Sequence, residues 1–326
     1  MDQKRQVEKA DSEREAPDIS VVLPVCNEEE GIKTLIPSIV TALQQLEREF
    51  EIVAVDDGSQ DQTLDVLLAL RQDFPQLLRV AHHLANLGNG AALRTGMRLA
   101  RGRLIVTMDA DGQHDPEDIR ALLNEIPPYD LVIGARTSIY RGSWYRGLAN
   151  SFYNRFASWL TRADIKDLTS GFRAMRRQAV LHFLPLFPDG FSAPTTTTMA
   201  FLKAGYNVKF IPIDVKQRKS GKSKIHLWRD GVRFMMIILR MIMLYDPLRI
   251  FLPLGLTSLV LGVVAWILGI INAERLVFPN STIFMFSTAL TTWLLGLISA
   301  QISNSRIHSY GDESVDVYQA DEMHRE

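Results

Sequence analysis

The sequence has few of the features that mark secreted or nucleic-acid-binding proteins. Its 326 residues include a single cysteine, Cys26, which excludes an internal disulfide framework and is typical of a reducing compartment. The formal net charge is only −1, so overall charge indicates neither a nucleic acid nor an acidic partner. Residues 1–17 lack the apolar segment of a signal peptide, and we expect them to be a disordered leader.

Long uncharged runs occur only in the last quarter of the chain. Residues 250–271 and 282–303 each span about 22 positions without a charge, which is enough to cross a bilayer. A buried hairpin in a soluble core is the alternative, but two adjacent runs of this length favour a transmembrane hairpin over 248–304. Arg240 and Arg249 flank the first run, so we expect an inner-membrane, multi-pass protein whose N-terminal domain is cytoplasmic.

Two further segments have helical patterns that suit a membrane surface. Residues 226–247 place Arg229, Arg233 and Arg240 on one face of an otherwise apolar helix, which predicts a juxtamembrane amphipathic helix. Residues 144–163 carry aromatic side chains at helical spacing; an ordinary packed helix and a helix on the membrane surface both fit this pattern. The acidic tail, 305–326, is expected to be cytoplasmic.

Residues 18–225 alternate short apolar runs with helical patterns. This rhythm predicts an α/β domain of Rossmann-like type, a mostly parallel sheet with helices on both faces. The predicted strands are 19–25, 51–57, 77–83, 103–109 and 130–136, and the predicted helices are 29–48, 61–73, 89–101 and 116–125.

Polar side chains stand at the ends of four of these strands. In a parallel sheet, ligands bind beyond the carboxyl ends of the strands, so these groups are expected to converge on one edge. They are Asn27, Glu28, Asp56, Asp57, Asp109, Asp111 and Arg136.

The pair Asp109 and Asp111 is the strongest indication of chemistry. If the segment is extended, both side chains can point the same way. Hard oxygen ligands in this arrangement suit Mg²⁺ or Mn²⁺ shared with substrate phosphates, and Gln113 could add a carbonyl ligand. An ordinary helix start accounts for Asp115, which we expect to be a cap. His114 is expected beside the ligands and not among them.

Three familiar loop motifs are incomplete. His114 stands where a calcium loop needs glycine, and Leu93 takes the third glycine position of a dinucleotide fingerprint. Lys216 takes the first glycine position of a P-loop. These three classes of site are therefore not expected.

Six motifs in order carry a family resemblance over residues 19–225. They are LPVCNEE (23–29), VDDGSQDQT (55–63), NLGNGAALRTG (86–96), MDADGQHDPEDI (108–119), DLTSGFRA (167–174) and QRKSGKSK (217–224). Together they resemble the family-2 glycosyltransferases with a GT-A fold. The chain is most similar to their polyprenyl-phosphate branch, typified by dolichyl-phosphate mannosyltransferase and bactoprenol glucosyltransferase, whose bacterial members often carry paired membrane helices.

The resemblance implies a set of donor-binding residues. Val55 would line the base pocket, and Cys26 would contact the nucleotide through its backbone. Asp109, Asp111 and Gln113 would hold Mg²⁺ or Mn²⁺ on the diphosphate. The residues implied to bind the nucleotide sugar are Pro24, Cys26, Glu28, Val55, Asp57, Asp109, Ala110, Arg136, Arg218 and Lys224.

The same resemblance implies catalytic and acceptor residues. Asp111 and Arg136 would act on the diphosphate, and Asp167 stands where relatives place a candidate general base. Asp167 could instead orient an arginine, complete the acceptor pocket or cap a helix. The residues implied to meet the lipid acceptor are Arg141, Arg146, Ser170, Gly171 and Phe172.

The implied reaction is inverting transfer of one sugar from GDP-mannose or a UDP-hexose to a polyprenyl phosphate. Relatives often have an acidic residue where 194–205 has none, which leaves the sugar open. Two alternatives are a glycosyltransferase acting directly on a glycolipid or polysaccharide, and a non-catalytic membrane scaffold. The expected partners are the donor, the lipid acceptor and the bilayer, with no nucleic acid; the oligomeric state, including a homo-oligomer, stays open.

Overall fold

A computed structural model describes residues 16–136, 151, 154–159, 161–188, 193–215, 243, 246–273 and 278–311. The chain divides into two compact units, one built from residues up to 155 and from 165–223, the other from 156–164 and from 224 onward. Nearly all of the predicted leader, the juxtamembrane helix and much of the acidic tail lie outside the described residues.

The first unit contains a seven-stranded sheet within its described residues. The spatial order is β3-β2-β1-β4-β6-β5-β7, and all pairings are parallel except those of β6 with β4 and β5. The strands are β1 (Ile19–Val25), β2 (Phe50–Asp57), β3 (Leu78–His83), β4 (Leu104–Thr107), β5 (Leu131–Arg136), β6 (Arg173–Arg176) and β7 (Val208–Ile213). The predicted mostly parallel α/β sheet is confirmed.

Helices cover both faces of this sheet. They are α1 (Glu29–Gln44), α2 (Thr63–Asp73), α3 (Asn89–Leu99), α4 (Asp118–Leu123), α5 (Arg177–Phe183) and α6 (Ala193–Lys203). One apolar cluster joins α1, α2 and α4 to alternate strand residues such as Val21 and Leu23. The other joins α3, α5 and α6 to the intervening residues, such as Val22 and Ile105. The central strands are apolar at nearly every position because both of their faces are buried.

Helix α3 lies unusually close to the sheet. A Cβ atom added to Gly96 would sit 2.4 Å from Val22 Cγ1 and 3.2 Å from Val55 Cγ2. Only glycine permits this approach, because real Cβ atoms do not come so near to another heavy atom. The close packing fixes the direction of α3, whose first residue, Asn89, reaches the carboxyl end of the strands.

The second unit contains a helical hairpin formed by α7 (Leu248–Ala273) and α8 (Asn280–Gly311). Both helices are long and apolar enough to cross a membrane, over Leu248–Asn272 and Asn280–Ser305. Added Cβ atoms would clash at Gly255, 2.2 Å from Trp293 Nε1, and at Gly262, 2.7 Å from the Phe286 ring. Small residues thus let the two helices pack closely, as is common between membrane helices.

Candidate active site

The carboxyl ends of β1, β2 and β4 meet at one edge of the sheet, since these three strands are parallel neighbours. The segments after β1 and β2 are joined by direct hydrogen bonds. The backbone N–H of Asn27 donates to Ser59 Oγ at 2.9 Å, and that of Gln60 donates to Asn27 Oδ1 at 2.8 Å. The backbone N–H of Glu28 donates to Thr63 Oγ1 at 3.0 Å. These hydrogen bonds position the backbone of Glu28 at the carboxyl ends of β1 and β2.

The buried carboxylate of Asp57 organises the segment between β3 and α3. It pairs with His83 Nδ1 at 2.8 Å and accepts hydrogen bonds from the backbone N–H groups of Leu87, at 3.0 Å, and Gly88, at 2.8 Å. His83 Nε2 in turn lies 3.0 Å from Thr95 Oγ1. Asp57 thus has three partners within the protein, and its contact with a nucleotide stays a prediction.

The other predicted base-site residues differ in their accessibility. Pro24 and Cys26 are half-buried at the edge, and Cys26 Sγ accepts a hydrogen bond from Asn86 Nδ2 at 3.1 Å. Burial raises the pKa of the Cys26 thiol. Val55 is fully buried beneath α3 and Ala110 is 3% exposed, so the structure does not bring their side chains to the surface of the edge.

Asp109 and Asp111 follow β4, but not in an extended segment. That expectation is wrong, because β4 ends at Thr107 and residues 110–111 form a turn. The two carboxylates still influence each other: removal from water and then the charge of Asp111 raise the pKa of Asp109 to about 6. Charges on Arg136 and Arg173 and a hydrogen bond from Asn89 act in the opposite direction. An anion-rich site of this kind favours a bound cation.

Near this turn lie the side chains that the sequence predicts as ligands of a divalent ion. Among the described residues, no three His, Cys, Asp or Glu side chains come together as a metal site. The predicted ligands are the carboxylates of Asp109 and Asp111 and the amide oxygen of Gln113; the buried Nε2 of the same Gln113 amide has no hydrogen-bond partner. Two carboxylates with further positions left for phosphate oxygens suit Mg²⁺ or Mn²⁺.

His114 lies under the same turn as a buried, neutral ring. It is 7% exposed and stacks on Phe172 with a centroid distance of 4.9 Å and an interplanar angle of 21°. Burial is the main cause that lowers the pKa of His114 to about 4.

Asp115 Oδ1 accepts a hydrogen bond from the Glu117 backbone N–H at 3.3 Å, so it caps the turn before α4.

A bidentate ion pair joins the end of β5 to the segment before β6. Arg136 Nε and Nη2 donate to the two carboxylate oxygens of Asp167 at 2.7 and 2.9 Å, and Nη2 also donates to Thr169 Oγ1 at 2.6 Å. Burial alone would raise the pKa of Asp167, but the hydrogen bonds and charge of Arg136 outweigh it and lower that pKa. Asp167 is therefore a fixed anion that orients an arginine.

The predicted acceptor residues are only partly described. Ser170 and Phe172 are buried, and Gly171 touches Asp109, since a Cβ atom at Gly171 would sit 2.5 Å from Asp109 Oδ2. The Gly171 carbonyl accepts a hydrogen bond from Thr107 Oγ1 at 2.6 Å. Four predicted site residues lie outside the described residues: Arg141, Arg146, Arg218 and Lys224.

Two residues of this site were not predicted from the sequence. Asn89 begins α3 and hydrogen-bonds Asp109, while Arg173, in β6, is fully enclosed below the site. In the sequence, each was marked only by its position inside one of the six motifs, NLGNG for Asn89 and SGFRA for Arg173.

A sheet of this topology, with paired carboxylates following β4 and an arginine at the end of β5, defines a glycosyltransferase of the GT-A class. Residues 20–184 match the model of the family described as glycosyl transferase family 2, which is about half of the chain. Residues 246–305 match a second model, described as the GtrB C-terminal hairpin. The chain belongs to glycosyl transferase family 2.

Several curated relatives are named as undecaprenyl-phosphate sugar transferases. The undecaprenyl-phosphate 4-deoxy-4-formamido-L-arabinose transferase of Pseudomonas syringae pv. syringae is 30% identical over 257 residues, covering 75% of this chain and 71% of that protein. The protein of the same name from Photorhabdus laumondii is 31% identical, over 63% of this chain and 62% of that protein. An uncharacterized glycosyltransferase of Synechocystis is 29% identical, over 65% of each chain. The chain thus spans less than two thirds of the length of several curated relatives that it matches.

Solved structures of the same fold come from Mycobacterium tuberculosis. Glucosyl-3-phosphoglycerate synthase in complex with Mn²⁺, UDP and phosphoglyceric acid has a TM-score of 0.54 at 20% identity, covering 73% of this chain and 81% of that one. Its complex with Mn²⁺ and UDP-glucose has a TM-score of 0.53 at 22% identity, with the same coverage. These likenesses confirm the predicted GT-A fold.

Proposed function

We propose that the chain transfers a single sugar from a nucleotide-sugar donor to a polyprenyl phosphate, with inversion at the anomeric carbon. The observation that carries the proposal is the convergence of Asp109, Asp111 and the Arg136–Asp167 pair at the carboxyl edge of the sheet. The names of the curated relatives and the match to the C-terminal hairpin model support the lipid phosphate as acceptor.

The reaction is a displacement at the anomeric carbon. An oxygen of the lipid phosphate forms the new bond to the sugar while the bond from the sugar to the nucleoside diphosphate breaks, and the diphosphate leaves with the electron pair. Negative charge grows on the leaving group, so cations held at fixed positions stabilise the transition state. Arg136 is such a cation, and we assign the same role to Arg218 and Lys224.

The donor and the divalent ion share the edge of the sheet. Asp109, Asp111 and Gln113 would hold Mg²⁺ or Mn²⁺, which when bound neutralises diphosphate charge. The GT-A neighbours were solved with Mn²⁺ and UDP, which supports this assignment. We assign the nucleotide to the hydrogen-bonded segments after β1 and β2, with Pro24, Cys26, Glu28 and Asp57 as its contacts.

Asp167 is assigned to positioning and not to proton removal. A phosphate monoester has its second pKa near 6, so at neutral pH the acceptor is already mostly dianionic. A carboxylate paired bidentately with Arg136, with a lowered pKa, is also a poor base. The acceptor site itself is assigned to Arg141, Arg146, Ser170, Gly171 and Phe172.

We place the reaction at the cytoplasmic face of the inner membrane. The two apolar helices supply the anchor, and arginines flank the first of them. The product would be a lipid-linked sugar donor for cell-envelope or protein glycosylation. GDP-mannose and UDP-hexoses both remain candidate donors.

The test is a transfer assay on the full chain purified in detergent. Radiolabelled UDP- and GDP-sugars are supplied with Mn²⁺, with and without undecaprenyl phosphate, and label is counted after extraction into organic solvent. We expect label in the lipid phase from one donor, dependent on the added lipid and lost in Asp111→Asn. Label entering only a glycolipid or polysaccharide would replace this acceptor with another, and no metal-dependent donor binding or transfer would favour the scaffold alternative.

A further inference from the structure

Arg173 is the largest side chain that is fully enclosed in the described part of the protein, at 2% exposure. Its guanidinium reaches two separate segments. Nε donates to the Ser170 carbonyl at 2.7 Å and Nη2 to the Leu168 carbonyl at 3.2 Å. Nη1 donates to the Pro194 carbonyl at 2.7 Å and to Thr198 Oγ1 at 3.0 Å. One side chain thus ties the segment 167–172 to the first turn of α6.

All four of these acceptors are neutral, which is unusual for a buried cation. A charge removed from water is normally paired with a carboxylate, because desolvation is expensive. Asp109 and Asp167 act on Arg173 only through space, and burial lowers its pKa to about 9, so it remains charged at neutral pH.

Residues of the segment 167–172 contact two of the charged side chains of the site. Asp167 orients Arg136 through two hydrogen bonds, and Gly171 packs against the carboxylate of Asp109. A shift of 167–172 would therefore move both the arginine and the turn that carries the paired carboxylates. A misplacement of about 1 Å in such a site can reduce the rate about 10²-fold.

We propose that Arg173 is a positioning residue for the transfer reaction: it locks the segment 167–172 onto the first turn of α6 and thereby sets the positions of Arg136 and Asp109. This inference rests on the proposed function. Lysine cannot replace the arginine, because a single ammonium lacks the planar fork that reaches both segments at once.

The helix offers a matched pair of test variants. Thr197 and Thr198 are neighbours, both buried, and each hydroxyl donates to the carbonyl four residues earlier. Of the two hydroxyls, that of Thr198 is the one that accepts from Arg173. Thr198→Val removes this acceptor without touching Arg173, and Thr197→Val changes the same chemistry one residue away.

The experiment compares Arg173→Lys, Thr198→Val and Thr197→Val in the full chain by hydrogen exchange and by initial transfer rate. We expect faster amide exchange in 167–172 for the first two variants and not for Thr197→Val. We expect kcat/KM to fall about 10²-fold in Arg173→Lys, less in Thr198→Val, and to change by less than about twofold in Thr197→Val.

A purely structural role has a different signature. Glu51→Gln disrupts the ion pairs that the buried Glu51 carboxylate makes with Arg79 and Arg101 near the amino ends of the strands, and serves as the destabilised control. If Arg173→Lys and Thr198→Val resemble this control, with lower thermal midpoints but unchanged exchange in 167–172 and unchanged rate per folded molecule, the proposal is overturned. If wild-type protein transfers no sugar, the proposed function fails, while the exchange data still decide whether Arg173 locks the segment.

Discussion

Replacing Asp167 with asparagine tests whether the carboxylate orients Arg136. Asp167→Asn keeps the shape but removes the charge, and its amide nitrogen must face one of the guanidinium donors that now lie 2.7 and 2.9 Å from carboxylate oxygens. Hydrogen bonds to charged groups contribute about 1.5–3 kcal/mol each, and breaking a buried pair costs about 3–5 kcal/mol. Because the Arg136 side chain is 28% exposed, we expect Asp167→Asn to lower the free energy of unfolding by less than this, about 2–3 kcal/mol.

This loss is measured as a fall in thermal midpoint. For a unit of this size, 1 kcal/mol corresponds to about 2–4 °C, so the expected shift is about 4–12 °C. Labelling of Cys26 by a thiol-reactive fluorophore during heating reports on this unit, because Cys26 is the single thiol and is half-buried. Asp73→Asn, on an exposed part of α2, is the control with no expected shift.

The difference in stability between the wild type and Asp167→Asn should depend on pH. Arg136 lowers the pKa of Asp167, so the folded protein binds fewer protons at this group than the unfolded chain. The stabilisation is complete above the unfolded pKa of about 3.9 and is lost as the pH falls through the folded value. Scanning calorimetry should show a full difference between wild type and Asp167→Asn at pH 5 and 7, and a smaller one below about pH 3.9. An unshifted midpoint at pH 7 would refute the ion-pair argument.

Three further substitutions distinguish effects on the transfer rate from effects on stability. Gly171→Ala places a Cβ atom 2.5 Å from Asp109 Oδ2, so the transfer rate per folded molecule should fall about 10²-fold; an unchanged rate would contradict the packing. Glu51→Gln should destabilise the protein by about 2–3 kcal/mol, because its arginine partners are also partly exposed; thermal scanning measures this loss, and the rate per folded molecule should not change, so a lost rate would contradict the separation. Gly255→Val forces a contact near 2.2 Å with Trp293 Nε1 and should lower the stability of the hairpin in detergent by about 1–3 kcal/mol, where no change would show that the helices pack otherwise.

The first five strands and four helices could be predicted from the sequence because apolar periodicity and polar strand ends mark them clearly. The strand β6 was missed, since Arg173–Arg176 is four residues long, carries two arginines and runs antiparallel. The strand β7 was also missed; Pro212 lies within it, and a sheet edge tolerates proline.

For the site, residue types at strand ends predicted which side chains lie at the carboxyl ends of the strands, but not which residues they contact. The Arg136–Asp167 pair joins residues 31 positions apart, and no local pattern encodes that contact. Arg173 was missed for a related reason: an arginine in sequence gives no sign of being buried, because arginine is mostly exposed in proteins. The period-two spacing of β4 ends at Thr107, so Asp109 and Asp111 do not lie in an extended segment.

The most direct test of the account is the phosphorus content of the product. The full chain is incubated with Mn²⁺, undecaprenyl phosphate and the donor that gives lipid-phase label, and the purified lipid is analysed by mass spectrometry and ³¹P NMR. Displacement at the anomeric carbon by the lipid phosphate predicts one sugar and one phosphorus per lipid, with inverted anomeric configuration. A product with two phosphorus atoms would show that the bond broken lies within the diphosphate, and would contradict the assignment of Asp109, Asp111 and Arg136 to a sugar transfer.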